Sequence, residues 1–596
     1  AAEKGYVGLR YMNELYDTDQ GKVRFRHFGI VESKVTDRLT ILLEPVRAKK
    51  ALDWGVSPNQ ARSRLVFCDG DAGGLELPWS DWGREFYEAM PEPIKKAIAE
   101  AKTNESIKGI YLNTGLIMAG QAGLLELREA LIDFKESGKF IVAYDEAYSE
   151  GGYFLASVAD EIYLNPLGGI DFNGFASEGI FLKGFFEKVG IKPEVFRVGE
   201  FKSAVEPFIL DKMSPENRLQ TQYFLDDINN HAVKLIAESR GMAVDSLMNV
   251  NNQMLVRKPK DAVTYGLATA LKYEDEVHSI LKEKLGLTED DQISTINATD
   301  LGSMAKSKNI TSKNRIAVIL AEGDIVDGDV EGAISSEKFA EEIREARKDD
   351  DIKAIVLSVN SPGGSILASE VIWREMSEAK KAKPVIVSMG EVAASGGYYI
   401  SAPADTIVAQ PNTITGSIGI FGLMFNVQEL INDKLGVTTH VVSTGQLSDF
   451  MNMARPLTEV ERTIIQSGVE DGYETFITRV AEGRGMHPDS VKKVASGRVW
   501  TGTQAKERGL VDVLGGLDTA IEIAAAKIRA GEDYRVVYFP EKKPWFEEFM
   551  TSFTDQVQAR VLQAQLGDQY PLYQKVQKLK NYQGVQVRMP QDITIK

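Results

Sequence analysis

Cysteine is almost missing from this 596-residue chain. Cys68 stands alone, so no intrachain disulfide can form and the redox compartment stays open. Histidine is scarce as well, with His27, His231, His278, His440 and His487 only. No His-x-x-x-His, Cys-x-x-Cys or EF-hand spacing occurs, so neither a metal nor another cofactor is expected. Positive charge is the minority sign: 69 Lys plus Arg against 86 Asp plus Glu give a net −17, which argues against nucleic acid as a partner. No run reaches the ~18–20 apolar residues of a membrane-spanning helix. There is no Walker loop, and GSIGIFG (416–422) has the wrong pattern for a phosphate cradle. The chain opens at Ala1, and the expectation is a sequence that no longer carries a targeting segment. What remains is an ordinary soluble, multidomain composition, 43% apolar and 26% charged.

What the chain does contain is itself, twice. SIKGIYL (106–112) recurs as DIKAIVL (351–357), and GGYFLASVADEIYLNP (151–166) recurs as GGYYISAPADTIVAQP (396–411), each 245 positions later. ESRGM (238–242) returns as EGRGM (482–486). Each copy alternates helical stretches with β-branched apolar runs. Helices are predicted at 93–102, 124–136, 337–348 and 368–379, with strands at 109–112, 140–144, 354–359 and 384–389. A strand at 316–321 opens the second copy, and LTILLEPV (39–46) or RLVF (64–67) are weak candidates for its counterpart. Strand–helix alternation implies right-handed crossovers and a largely parallel sheet. Thr458 with Glu461 forms a capping box at the head of a long helix. The expected organisation is an N-terminal region over 1–90, a first repeat over 91–287, a polar linker over 288–313, a second repeat over 314–535 and a helical extension over 536–596. Within that extension, 544–567 has amphipathic spacing.

The copies differ where chemistry would reside. In the second, a buried strand runs into NSPGGS (360–365), a turn able to present backbone N–H groups at the strand's carboxyl end; the first copy reads NTGLIMAG (113–120) instead. The second copy also holds AASGGYY (393–399), with Ser395 at a strand-to-helix transition and the Gly396 N–H positioned to face an oxyanion. The first copy has Glu150 at the aligned position. On the local string alone, Ser395 reads better as a small residue packed beside a glycine pair. Loss of turn and hydroxyl together in one copy, and retention of both in the other, shifts the reading toward a nucleophile.

A serine nucleophile needs a base. None of the five histidines lies beside a suitable carboxylate in a segment near Ser395. The first copy carries VGEFKSAVEPF (198–208), while the second reads STGQLSDFMNM (443–453), so Lys202 faces Ser448. The pattern is reciprocal: the serine in one copy, the lysine in the other, as one composite site would require. An exposed lysine titrates near ~10.4 and is almost wholly charged at pH 7. Burial lowers that value, and Phe201, Val205 and Phe208 are expected to supply an apolar wall. Without the repeat comparison, a surface lysine on a loop is the plainer reading.

SPGGS, ASGGYY, TGSIG (415–419) and EFKSAVEPF together resemble the long, tandem-repeat type of signal peptide peptidase A, or protease IV, over about residues 91–596. The resemblance implies an α/β fold of two tandem ClpP/crotonase-like repeats, each a largely parallel sheet flanked by helices. It implies a serine endopeptidase that degrades released signal peptides and other short apolar peptides through a Ser/Lys dyad. Ser395 would be the nucleophile and Lys202 the general base. Gly363 or Gly364 with Gly396 would form the oxyanion hole, and Ser417 would orient the lysine. Leu423, Met424 and Phe425 are candidates for an apolar substrate pocket. Family members form oligomers, the long type a bowl of four subunits, anchored in the bacterial inner membrane by an N-terminal helix with the catalytic part on the periplasmic side. Residues 1–90 depart from that pattern and show no apolar anchor. Two other readings stay open. One is a crotonase-like acyl-CoA enzyme, which would draft Glu391 and leave the reciprocal Ser and Lys unexplained. The other is a catalytically silent peptide-binding or membrane-protein scaffold.

Overall fold

The computed structural model describes residues 91–539, apart from 116, 118, 305–308, 310 and 331, together with the strands Leu9–Tyr11, Glu14–Tyr16, Val56–Pro58, Leu65–Asp69, Ala72–Glu76 and Gly584–Arg588. By compactness the chain divides into two units. One comprises 1–172 and 253–306, the other 173–252 and 307–596. The division by sequence repeat therefore differs from the division by packing: the stretch carrying Lys202 repeats with the first copy but packs with the second.

The first unit holds a four-stranded parallel sheet in the order Ala270–Leu271, Glu161–Ile170, Phe140–Tyr148, Gly109–Leu112. The helices Pro91–Thr103 and Gln121–Lys135 accompany it. Part of the expected linker is helix instead: Ala298–Met304 packs so closely that a Cβ on Gly302 would lie 2.4 Å from the Pro93 carbonyl. RLVF is not the missing counterpart of the second copy's first strand, since Leu65–Asp69 is the middle of a three-stranded antiparallel sheet. The 39–46 and 544–567 segments lie outside the described residues.

In the second unit the main sheet runs Val499–Thr501, Ile414–Gly416, Val385–Ala394, Ile352–Ser361, Arg315–Glu322, Arg535–Phe539, parallel except at its first strand. Its strands are apolar at successive positions because both faces are covered. Ile316, Val318, Ala354, Val356 and Ile386 point to one side, against the helix Leu517–Lys527. Ala317, Ile319, Ile355, Leu357 and Val387 point to the other, into a core shared with the helices Ser336–Lys348, Ile366–Ala382 and Glu459–Arg484. Burying each of these Ile, Val and Leu side chains contributes about 1.5–3 kcal/mol. A second sheet, six-stranded, runs Ile334–Ser335, Ile325–Val326, Gly363–Ser365, Gly584–Arg588, Ile420–Asn426, Lys192–Val198. The C-terminal region is thus not helical throughout, for Arg535–Phe539 and Gly584–Arg588 are strands.

The repeat is visible in single hydrogen bonds. Tyr153 Oη donates to the Leu267 carbonyl at 2.9 Å, and Tyr398 Oη to the Leu510 carbonyl at the same distance. The helices Pro215–Arg240 and Glu459–Arg484 are both 26 residues long, capped by Ser214 and Thr458 and closed by left-handed Gly241 and Gly485. The Thr458–Glu461 capping box forms as its spacing predicts.

Candidate active site

The strand Val385–Ala394 ends at Ser395, which caps the short helix Gly396–Ser401. Its backbone is forced into φ 57°, ψ −111°, a region that costs a non-glycine residue about 1–3 kcal/mol. The turn is pinned on both sides. Ser395 N–H donates to the Gly416 carbonyl at 2.8 Å, and the Ser395 carbonyl accepts from Tyr399 N–H at 2.8 Å. In the first repeat the strain is absent: Ser149 caps the equivalent helix at φ −67°, and Glu150, aligned with Ser395, is already helical. Only the copy with the hydroxyl holds the strained elbow.

The neighbouring strand Ile414–Gly416 delivers Ser417, itself at φ 49°, beside Ser395. Lys202 arrives from a third direction. Its strand Lys192–Val198 pairs antiparallel with Ile420–Asn426, Val198 opposite Ile420, so the residues after one strand meet those before the other. Lys202 Nζ then lies 2.8 Å from Ser395 Oγ, 3.1 Å from Ser417 Oγ and 3.1 Å from the Ser417 carbonyl. All three residues are fully buried. No carboxylate offsets that burial, and desolvation alone holds the lysine well below its ordinary value. A neutral amine has two protons and one lone pair, which matches its surroundings. Nζ is in donor geometry to the Ser417 carbonyl and Oγ and to Ser395 Oγ; in a neutral amine that keeps the two Ser417 bonds, the Ser395 contact runs the other way, the hydroxyl donating to the lone pair. Ser417 Oγ passes its own proton to the Gly497 carbonyl at 3.3 Å.

What walls the lysine differs from the expected aromatic lining. Val205 and Phe208 pack away, in a cluster with Phe186, Phe421, Leu423 and Phe425, and Phe201 stacks under Arg498. The lysine stem is enclosed by backbone: a Cβ on Gly419 would come within 3.2 Å of its Cδ, and one on Gly497 within 2.7 Å of its Cβ. Gly497 also has φ +78°. Behind the loop, Gln220 Nε2 donates to the Phe201 carbonyl and Ser203 Oγ, and Asn217 Nδ2 donates to Glu206. The glycine-rich stretch GSIGIFG (416–422), which holds Gly419, signals close backbone approach in the sequence, whereas Gly497, Asn217 and Gln220 carry no such signal.

The Pro-Gly-Gly turn lies against the elbow. A Cβ on Gly396 would be 3.1 Å from both Gly363 Cα and Gly364 N. Gly363 N–H donates to Ser361 Oγ at 3.1 Å, which favours Gly364 over Gly363 as an oxyanion donor. Gly396 N–H belongs to a first helical turn, where no intrahelical acceptor exists. Leu423, Met424 and Phe425 are all buried, Leu423 and Phe425 in the aromatic cluster and Met424 in the main core. The strand therefore has packed side chains on both of its faces.

The Peptidase family S49 profile matches residues 133–288 and 377–530, one span in each repeat. Protease 4 of Salmonella typhi is 38% identical over 504 residues, 81% of this chain and 80% of that protein. The chain belongs to peptidase family S49. Protease 4 of Haemophilus influenzae is 36% identical, covering 79% of each chain. The chloroplastic serine protease SPPA of Arabidopsis thaliana is 33% identical, covering 84% of this chain and 74% of that one. A Clp protease profile also matches residues 307–415, in agreement with the α/β architecture. As an S49 peptidase the chain is a serine protease with tandem repeats. Among the described residues no His, Cys, Asp or Glu group is arranged to hold a metal, and no helix is long and apolar enough to cross a membrane.

Proposed function

We propose that this S49 peptidase is an endopeptidase in which Ser395 is the nucleophile and Lys202 the general base. The observation that carries the reading is the 2.8 Å separation of a fully buried Nζ from the hydroxyl of a strained serine. Ser395 Oγ attacks the scissile carbonyl as Lys202 takes its proton. The oxyanion faces the N–H groups of Gly396 and Gly364. Collapse breaks the C–N bond, and the Lys202 ammonium returns its proton to the leaving amine, leaving an acyl-enzyme on Ser395. Water, deprotonated by the same lysine, releases the acyl group. Ser417 holds the amine so that its lone pair stays aimed at the hydroxyl.

Short apolar peptides, cleaved signal peptides among them, are the proposed substrates, on the family resemblance. The same resemblance supports a homo-oligomer, proposed as a tetramer, and attachment to the bacterial inner membrane with the catalytic part in the periplasm. Hydrolysis of a quenched apolar peptide by wild type, Ser395→Ala and Lys202→Ala tests the dyad. Both variants, folded as wild type, lose cleavage; activity surviving in Ser395→Ala sinks the nucleophile assignment.

A further inference from the structure

Ser395 has no solvent exposure, and one of the two strands lying against the Pro-Gly-Gly turn is not part of the repeat. It is Gly584–Arg588, from the end of the chain. It pairs antiparallel on one side with Gly363–Ser365 and on the other with Ile420–Asn426. Arg588 stands opposite Gly363 and Gln586 opposite both Ser365 and Phe421, so the strand runs toward the elbow as its number rises. Lifted out, it would leave two facing strand edges, a slot that any extended peptide of the same direction can fill by backbone hydrogen bonds. Backbone pairing does not select a sequence; side chains do.

Arg588 is that selective contact. It is 3% exposed, and its guanidinium lies 2.9 Å from the Asp324 carboxylate. Asp324 immediately precedes the strand Ile325–Val326, whose Ile325 pairs with Gly364, so the carboxylate is fixed to the same turn that faces Ser395. Glycine is required there, because a Cβ on Gly364 would lie 2.0 Å from the Ile325 carbonyl. Asp327, which accepts from Ser365 Oγ at 2.9 Å, adds a second negative charge beside the slot.

We propose that Gly584–Arg588 occupies the channel in which a peptide substrate lies, and that Asp324 selects an arginine or lysine at the position Arg588 now fills. The inference rests on the dyad reading for what the channel serves. The chain's own segment is then a tethered competitor, and peptides that displace it carry a basic residue next to the cleavage site in an otherwise uncharged strand.

The test is binding, read by fluorescence anisotropy on full-length Ser395→Ala protein so that nothing is cleaved. The probes are labelled Gly-Val-Gln-Val-Arg and its Arg-to-Ala analogue. Adding Arg588→Ala to the protein should tighten the arginine probe about tenfold, because the competitor is weakened. In that protein the alanine probe should bind at least about tenfold more weakly than the arginine probe, the order expected when one partner of a buried charge pair is truncated. Asp324→Asn should erase the difference, and Asp324→Glu should keep it. Equal binding of the two probes, or a preference that persists in Asp324→Asn while Asp324→Glu remains folded, overturns the inference. Cleavage by Ser395→Ala would instead overturn the dyad and leave the binding result standing.

Discussion

Replacing Lys202 with methionine removes the one group in the site whose protonation must change on unfolding. Burial holds its ammonium well below the ordinary value, whereas in the unfolded chain it titrates near ~10.4. Between those two values the unfolded chain binds one proton more than the folded chain. Wild-type stability therefore rises with pH across that window, tenfold in folding constant per unit, and falls as the pH is lowered toward the folded value. Methionine fills similar space without the proton, so its stability lacks that slope. Two pH units inside the window change the ratio of the two folding constants about a hundredfold, roughly 3 kcal/mol, with the variant favoured at the lower pH. Methionine also leaves the Ser417 carbonyl and the Ser395 hydroxyl without their partner, a loss of about 1–3 kcal/mol that does not vary with pH. The slope, rather than the level, is the diagnostic. Urea midpoints of wild type, Lys202→Met and Ser395→Ala at pH 7, 8 and 9 measure it. Ser395→Ala keeps the buried lysine and should follow wild type. Parallel profiles for wild type and Lys202→Met would refute the claim that the folded lysine is neutral.

Four further outcomes are expected. Cleavage, measured as kcat/KM, should rise tenfold per pH unit and level off well below the pH at which a free lysine titrates, since only the neutral amine accepts the serine proton. Ser395→Gly should be about 1 kcal/mol more stable than Ser395→Ala by denaturant titration, because glycine relieves the positive φ, with both inactive. Gly497→Ala should fold but lose about a hundredfold in kcat, as its Cβ would displace the lysine and its φ is left-handed. Ser417→Ala should lower kcat about ten- to a hundredfold with little change in KM, having removed one of the two acceptors that aim the amine.

Much of the fold was legible because its signals are local. Gly109–Leu112 was read to the residue, and Ile352–Ser361 and Val385–Ala394 were found by their apolar β-branched runs. The Ser395 and Lys202 pair emerged because one copy of a duplicated unit keeps what the other has lost, which requires no knowledge of packing. The walls of the site were not legible in the same way. Gly497 touches Lys202 across almost three hundred residues, and nothing local in SGR (496–498) distinguishes a clamp from a turn. Leu423 and Phe425 are apolar, which suits a pocket lining and a core alike, and their packing with Phe186, Val205 and Phe208 could not be told from the string. Gly584–Arg588 escaped because a five-residue alternation in a tail with helical spacing upstream carries too little periodicity to declare a strand.

The central claim is a serine activated by a neutral lysine, and labelling with a serine-reactive fluorophosphonate tests it most directly. At neutral pH, mass spectrometry should find a single adduct, on Ser395, in wild type. The adduct should be absent from Ser395→Ala and strongly slowed in folded Lys202→Met. An adduct on another serine, or undiminished labelling of Ser395 without the lysine, would contradict the account.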